Sequence, residues 1–371
     1  PPTPCNPVPG VCPVGSGCQR CVSWLHLWSM RTTVDLFAGA GGASLGLRSA
    51  GLHHELCVEW DEDAASTLVA AGFPGVCGDV RDMKHYDGLK RVDVLWASPP
   101  CQAFSTAGSR QGALDDRNGW PWTLDVIDHL RSRGIGPEWV ICENVLGLTF
   151  HKMDCTGHDI HGCAGCYWEG WIQPEFEKRF DWVGTVVLNA ADYGVPQFRR
   201  RVFLVGGPSP VRWPSQTHCS LDMMNQQRMF GPSMKQWVSI GDALGLESTG
   251  EVVQQSVSVV NGTTLGTGVP GSEPWRLERP SPAITSRDWR GARHQKFDPT
   301  RGPMTAADAT WRAIGRRRLT WKECALLQGF PDDHPFTGRT KVSIYKQVGN
   351  AVCPRVSEVL GRCVLSAMET R

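Results

Sequence analysis

Between residue 34 and about residue 206, short apolar runs alternate with longer stretches of helical period. The runs are Val34 to Phe37, Glu55 to Glu59, Val92 to Trp96, Trp139 to Cys142, Thr185 to Ala190 and Val202 to Val205. Runs this short, interleaved with helices and punctuated by Gly and Pro, predict an α/β layer fold around a mostly parallel sheet over residues 30–207. Beyond that the pattern dissolves into Gly, Pro, Ser, Thr and Arg with β-type pieces such as Val252 to Val260, which predicts a smaller, irregular, β-rich domain over 208–315. Helical period returns in Leu319 to Gln328 and Ser357 to Ala367, so residues 316–371 are expected to return to the first domain. Residues 1–29 show no period. They are expected to be a non-native or disordered extension, with Met30 as the natural start.

Composition narrows the class. A chain of 371 residues can form about two domains, and no apolar run approaches the ~20 residues of a membrane span. With no secretory signal pattern and 15 cysteines scattered mostly through apolar runs, reduced thiols and a cytoplasmic location are expected. The net charge of +1 excludes no partner, but its distribution is uneven: from Arg276 to Arg318 there are eleven basic residues against four acidic, a local excess suited to phosphates.

The candidate chemistry gathers at strand ends. The first strand runs into Gly39-Ala40-Gly41-Gly42 and then a helical pattern, a turn that brings backbone N–H groups against a ligand. Ser44 stands where a dinucleotide fingerprint has its third glycine, which disfavours a nicotinamide site. Glu59 ends the second run and can accept from ribose hydroxyls; Trp60 offers an aromatic face to adenine, and Asp79 can accept from an exocyclic amine. Together they favour an adenosine-containing cofactor. Cys101 follows Pro99 and Pro100 at the end of another apolar run, a thiol held by two fixed φ angles. Glu143 closes the run Trp139 to Cys142. Arg199 and Arg201 enter the run Val202 to Val205 at alternate positions, which places them on one side by the strand period.

In order, Phe37-Ala38-Gly39-x-Gly41-Gly42, Glu59-Trp60-Asp61, Pro99-Pro100-Cys101-Gln102, Glu143-Asn144-Val145, Gln197-x-Arg199-x-Arg201, Leu327-Gln328-Gly329-Phe330-Pro331 and Gln347-x-Gly349-Asn350-Ala351-Val352 resemble the motifs of the DNA (cytosine-5) methyltransferases of prokaryotic and phage type. The resemblance covers residues 34–206 and 316–355, and the segment without motifs falls where that family carries its target-recognition domain. It implies a Rossmann-like, S-adenosylmethionine-dependent fold, with Phe37, Pro99, Asn350 and Ala351 joining the residues above at the cofactor. It further implies that Cys101 attacks carbon 6 of a flipped cytosine, Glu143 serves ring nitrogen 3, and Arg201 with Arg199 serves the carbonyl oxygen. Double-stranded DNA is then the partner, with Arg287, Arg290 and Arg293 as candidate phosphate or guanine contacts. The expected setting is a monomer with a separate cognate restriction endonuclease, or phage self-protection. A tRNA cytosine methyltransferase of the same fold and a silent DNA-binding module are the alternatives.

One departure from the family pattern follows Glu143-Asn144-Val145. Within the insertion 151–170, Cys155-x-x-His158-x-x-His161-x-Cys163-x-x-Cys166 packs five potential ligands into twelve residues. Cys155, His158, Cys163 and Cys166 are the expected ligands of a structural zinc. Cys5, Cys12, Cys18 and Cys21 form a looser second group.

Overall fold

A computed structural model describes residues 30–100, 117–153, 155, 159–227, 234–246, 278–285 and 319–370, with strand pairs at 251–252, 259–260, 263–264 and 275–276. Seven strands form the main sheet: β1 (Thr32–Leu36), β2 (His53–Glu59), β3 (Gly75–Cys77), β4 (Val94–Ala97), β5 (Trp139–Val145), β6 (Trp182–Asn189) and β7 (Arg200–Gly207). Their order is β3-β2-β1-β4-β5-β7-β6. The strands from β3 to β5 are parallel, whereas β7 runs antiparallel between β5 and β6. All five residues of β1 and all four of β4 are buried, as befits parallel strands covered on both faces. The order reverses between β1 and β4, so the carboxyl ends of these two strands open the crevice where such sheets bind ligands.

One face of the sheet is covered by helix α3 (Gly119–Ser132), whose Trp120, Leu124, Ile127 and Leu130 share a core with Tyr86 and Phe176. The other face is covered by α1 (Gly42–Ala50) and the last helix, α10 (Pro354–Glu369), through Leu47, Val356, Leu360 and Val364. Gly46 sets the approach of these two helices: a Cβ there would lie 2.0 Å from the Pro354 carbonyl oxygen. Between β5 and β6 lie α4 (Ala164–Tyr167), a π turn (Trp168–Ile172) and α5 (Gln173–Glu177). They bury Tyr167, Trp168, Ile172 and Phe176 in the first core.

In the region from 208 to 315 the described strands are two residues long and pair into three small sheets. Ile240 and Ile284 nonetheless share one core with Leu319, Leu327, Phe330, Val348 and Ala351. That core joins α7 (Ile240–Leu244) to α8 (Trp321–Leu327) and α9 (Lys341–Asn350), so the irregular region and the returning segment are anchored on each other.

Candidate active site

The turn after β1 uses left-handed backbone at Phe37 (φ 57°), Gly39 (φ 56°) and Gly41 (φ 82°). A side chain at Gly41 would press on Leu68, and one at Gly42 would lie 2.3 Å from the Val352 carbonyl oxygen. At Gly39 the same addition meets nothing within 4 Å, so this glycine faces open space at the mouth of the crevice. Glu59 closes the turn from the next strand: Oε2 accepts the Gly39 N–H at 2.7 Å and Oε1 accepts the Asp61 N–H at 2.8 Å. Burial raises its pKa above the ordinary carboxylate range, opposed by these bonds. Trp60 is 75% exposed and therefore available to a planar ligand rather than spent in a core. Asp79 holds Arg81 through both oxygens, and the Arg81 guanidinium lies 4.5 Å from the centre of a Trp122 ring. That carboxylate reaches any cofactor amine only in competition with Arg81. From the C-terminal end, Ala351 and Val352 pack on Gly42, and Asn350 is exposed as the last residue of α9.

Beside this turn, β4 leads into buried Pro99. Asn144 is 2% exposed; its Nδ2 donates to the Pro99 carbonyl at 3.1 Å while its Oδ1 accepts the Val145 N–H at 2.9 Å. It ties the end of β5 to the residue two before Cys101. Asn144 appears in a motif above without a role of its own; its one legible signal is an amide that interrupts an apolar strand. Cys101 lies outside the described residues, as do His158, Arg287, Arg290 and Arg293.

The antiparallel register of β5 and β7 opposes Glu143 to Phe203 and Val145 to Arg201, which makes Glu143 and Arg201 diagonal neighbours on one face. Arg201 Nε stands 3.0 Å from Glu143 Oε1, with the side chains 19% and 12% exposed. Burial pushes the Glu143 pKa up, while Arg201 and Arg199 hold it back. The space beside the pair is lined by Leu188, Ala190, Arg199, Phe203, Val352, Cys353 and Val356.

Arg199 and the insertion each add contacts that the sequence pattern does not show. Arg199 precedes β7, is 4% exposed, and donates to the main-chain oxygens of Ile284 (2.8 Å), Gly349 (3.0 Å) and Ala351 (3.0 Å). It holds segments together while lining the same space as Glu143 and Arg201. Among the described residues, the histidine gathered with Cys155, Cys163 and Cys166 is His151, four residues before the first cysteine; the expected ligand His158 lies outside them. The spacing of the motif gave no reason to look that far back.

The family model of C-5 cytosine-specific DNA methylases matches residues 31–366. Type II methyltransferase M.NgoMIV of Neisseria gonorrhoeae is 29% identical, covering 91% of this chain and 98% of its own. Type II methyltransferase M1.HphI of Haemophilus parahaemolyticus is 28% identical over 90% of this chain and 86% of its own. Among solved structures, the S. pombe Dnmt2 methyltransferase superposes with a TM-score of 0.56 at 18% identity, covering 91% and 99% of the two chains. The Entamoeba histolytica methyltransferase EhMeth gives 0.57 at 16% identity over 92% and 99%. With the glycine turn and the Glu143–Arg201 pair on one sheet, the returning C-terminal helices packed against it, and a family match across nearly the whole chain, this protein belongs to the C-5 cytosine-specific DNA methylases.

Proposed function

We propose that the protein methylates carbon 5 of a cytosine flipped out of double-stranded DNA, through a covalent adduct on Cys101. The observation that carries this reading is the Glu143–Arg201 pair at 3.0 Å, beside a strand end that Asn144 ties to Pro99. Cytosine carbon 5 is a weak nucleophile, and thiolate addition at carbon 6 converts the ring to an enamine. Glu143, its pKa raised by burial, donates to ring nitrogen 3 as negative charge develops there. Arg201 donates to the carbonyl oxygen and balances the charge of the pair. Once carbon 5 carries its methyl group, a base takes the carbon 5 proton and elimination restores the Cys101 thiolate.

The crevice fits S-adenosylmethionine: an open glycine, a half-buried carboxylate at its edge and an exposed tryptophan beside it suit an adenosine. Phe37, Gly39, Gly41, Gly42, Glu59, Trp60, Asp79, Pro99, Asn350 and Ala351 would hold it. When bound there, it supplies the methyl group. Target recognition is assigned to 208–315, with Arg287, Arg290 and Arg293 on the DNA. Among the described residues no helix is long and apolar enough to cross a membrane. We place the protein in the cytoplasm as a monomer, beside a cognate endonuclease of the kind that the type II names of the relatives suggest.

The test uses tritiated S-adenosylmethionine with either DNA or tRNA, and then DNA carrying 5-fluorocytosine. Label in DNA and a trapped adduct that Cys101→Ser abolishes are expected. Label in tRNA alone, or an adduct that survives the substitution, would overturn the reading.

A further inference from the structure

The insertion between β5 and β6 holds a second group of chemistry-bearing side chains. His151, Cys155, Cys163 and Cys166 bring one ligand atom each within 4.8 Å of all the others. Cys155 Sγ lies 3.0 Å from Cys166 Sγ, and His151 Nδ1 lies 3.5 Å from Cys166 Sγ and 3.8 Å from Cys163 Sγ. Tetrahedral zinc with Zn–S near ~2.3 Å and Zn–N near ~2.0 Å sets ligand atoms roughly 3.5 Å apart, close to these separations. The sulfur pair is well beyond the ~2.05 Å of a disulfide.

The surroundings are built for those ligands. An Asp159 turn, with Oδ1 accepting from Gly162 N at 2.7 Å and its carbonyl from Cys163 N at 2.9 Å, turns Cys163 inward. The Gly165 N–H donates to the Phe150 carbonyl at 3.0 Å, which seats His151 beside the cysteines. Cys163 Sγ accepts the Lys152 N–H at 3.4 Å, an N–H bond of the kind that suits a thiolate. Most telling is the far side of the imidazole: His151 Nε2 lies 3.2 Å from Glu169 Oε2. A carboxylate on one ring nitrogen fixes the proton there and leaves the other lone pair for a metal. Cys163 and Cys166 are buried at 1% and 3% exposure, and four protein ligands leave no open position, as in a structural site.

We propose that His151 Nδ1 and the thiolates of Cys155, Cys163 and Cys166 bind one zinc ion that braces the base of the catalytic site. Tyr167, next to Cys166, accepts from Asn118 Nδ2 at 2.7 Å, and Asn118 begins α3 just after residues 101–116. On its other side the cluster follows Leu146–Thr149, the turn that continues β5 beyond Glu143. The ion therefore ties the segment after the acid to the segment after the nucleophile. Only this bracing role rests on the methyltransferase reading; metal binding does not.

The test measures zinc by elemental analysis on the full chain, purified without chelator from zinc-supplemented cells. Cys155→Ser, Cys163→Ser, Cys166→Ser and His151→Ala should each lose one equivalent relative to the parent, while His158→Ala keeps it. His151→Cys, which supplies the fourth ligand as a thiolate, should regain the ion that His151→Ala loses, so that loss through misfolding is told apart from loss of a ligand. Glu169→Gln should weaken zinc retention against a chelator by roughly 10- to 100-fold. A folded parent without zinc after reconstitution, ligand variants as zinc-loaded as the parent, or a Cys155–Cys166 disulfide in the alkylated protein would overturn the proposal. Zinc content is read without activity, so failure of the methylation assay leaves this result standing.

Discussion

Glu143 is subject to two opposed influences, burial that favours its neutral form and two guanidinium groups that favour the carboxylate. Arg201→Ala removes the nearer guanidinium, so the basic limb of the single-turnover pH profile should move to higher pH as the rate falls by roughly 10²- to 10³-fold. An unmoved limb would show that another group titrates. Asp35 is fully buried beneath the glycine turn, where Ser44 Oγ donates to it at 2.5 Å. Burial pushes its pKa up to about 7, against the hydrogen bond from Ser44 and with a smaller push from Glu59. The folded state thus keeps a proton that the unfolded chain releases near pH ~4. Its contribution to stability is complete below that pH and is lost as pH rises through about 7. Urea denaturation of Asp35→Asn between pH 5 and 8 should show a weaker fall in stability with pH than the parent, and parallel curves would refute this. Both carboxylates are visible in the sequence as strand residues, yet their pKa directions come from neighbours many positions away.

At the scale of elements, the helical pattern after the glycine turn was legible, whereas the place where α1 crosses α10 was not. Gly46 reads as an ordinary interruption of a helix. Only the fold brings Pro354 and Ser357 to within 2.0 and 2.1 Å of where its Cβ would be. Gly46→Ala should therefore destabilise the protein by about 1–3 kcal/mol through overpacking, while Gly88→Ala, with nothing nearby, leaves the melting temperature unchanged. Thermal denaturation of the two variants decides it. The run Trp139 to Cys142 is likewise a truncated view of β5, which continues through Glu143, Asn144 and Val145. Polar site residues at a strand end break the apolar signal, although the ladder with β7 continues past them.

For the whole molecule, the buried polar network around Arg199 is the joint. Gln197 Nε2 donates to Gln328 Oε1 at 2.8 Å, its Oε1 accepts from Ile284 N at 3.2 Å, and Gln328 Nε2 donates to the Ala351 carbonyl at 2.6 Å. Arg199 adds its bonds to Ile284, Gly349 and Ala351, so one side chain binds the sheet, the irregular region and the returning segment. Arg199→Met should cost on the order of 3 kcal/mol, since it withdraws a charged donor from buried carbonyls. It should weaken DNA and cofactor binding together, as titration calorimetry would register. Loss of one affinity alone would mean that Arg199 touches that ligand and is not a joint.

The sequence by itself determined the alternation of strands and helices, the glycine turn, the ordered motifs and the catalytic residue types, because these are carried by local period and by neighbours in the chain. Tertiary structure alone decided the antiparallel β7 that sets Arg201 against Glu143, the buried contacts of Arg199, the crossing at Gly46 and the gathering of His151 with the three cysteines. Each depends on the distance between residues far apart in the chain or on the path of a loop, and neither leaves a periodic trace in the order of amino acids.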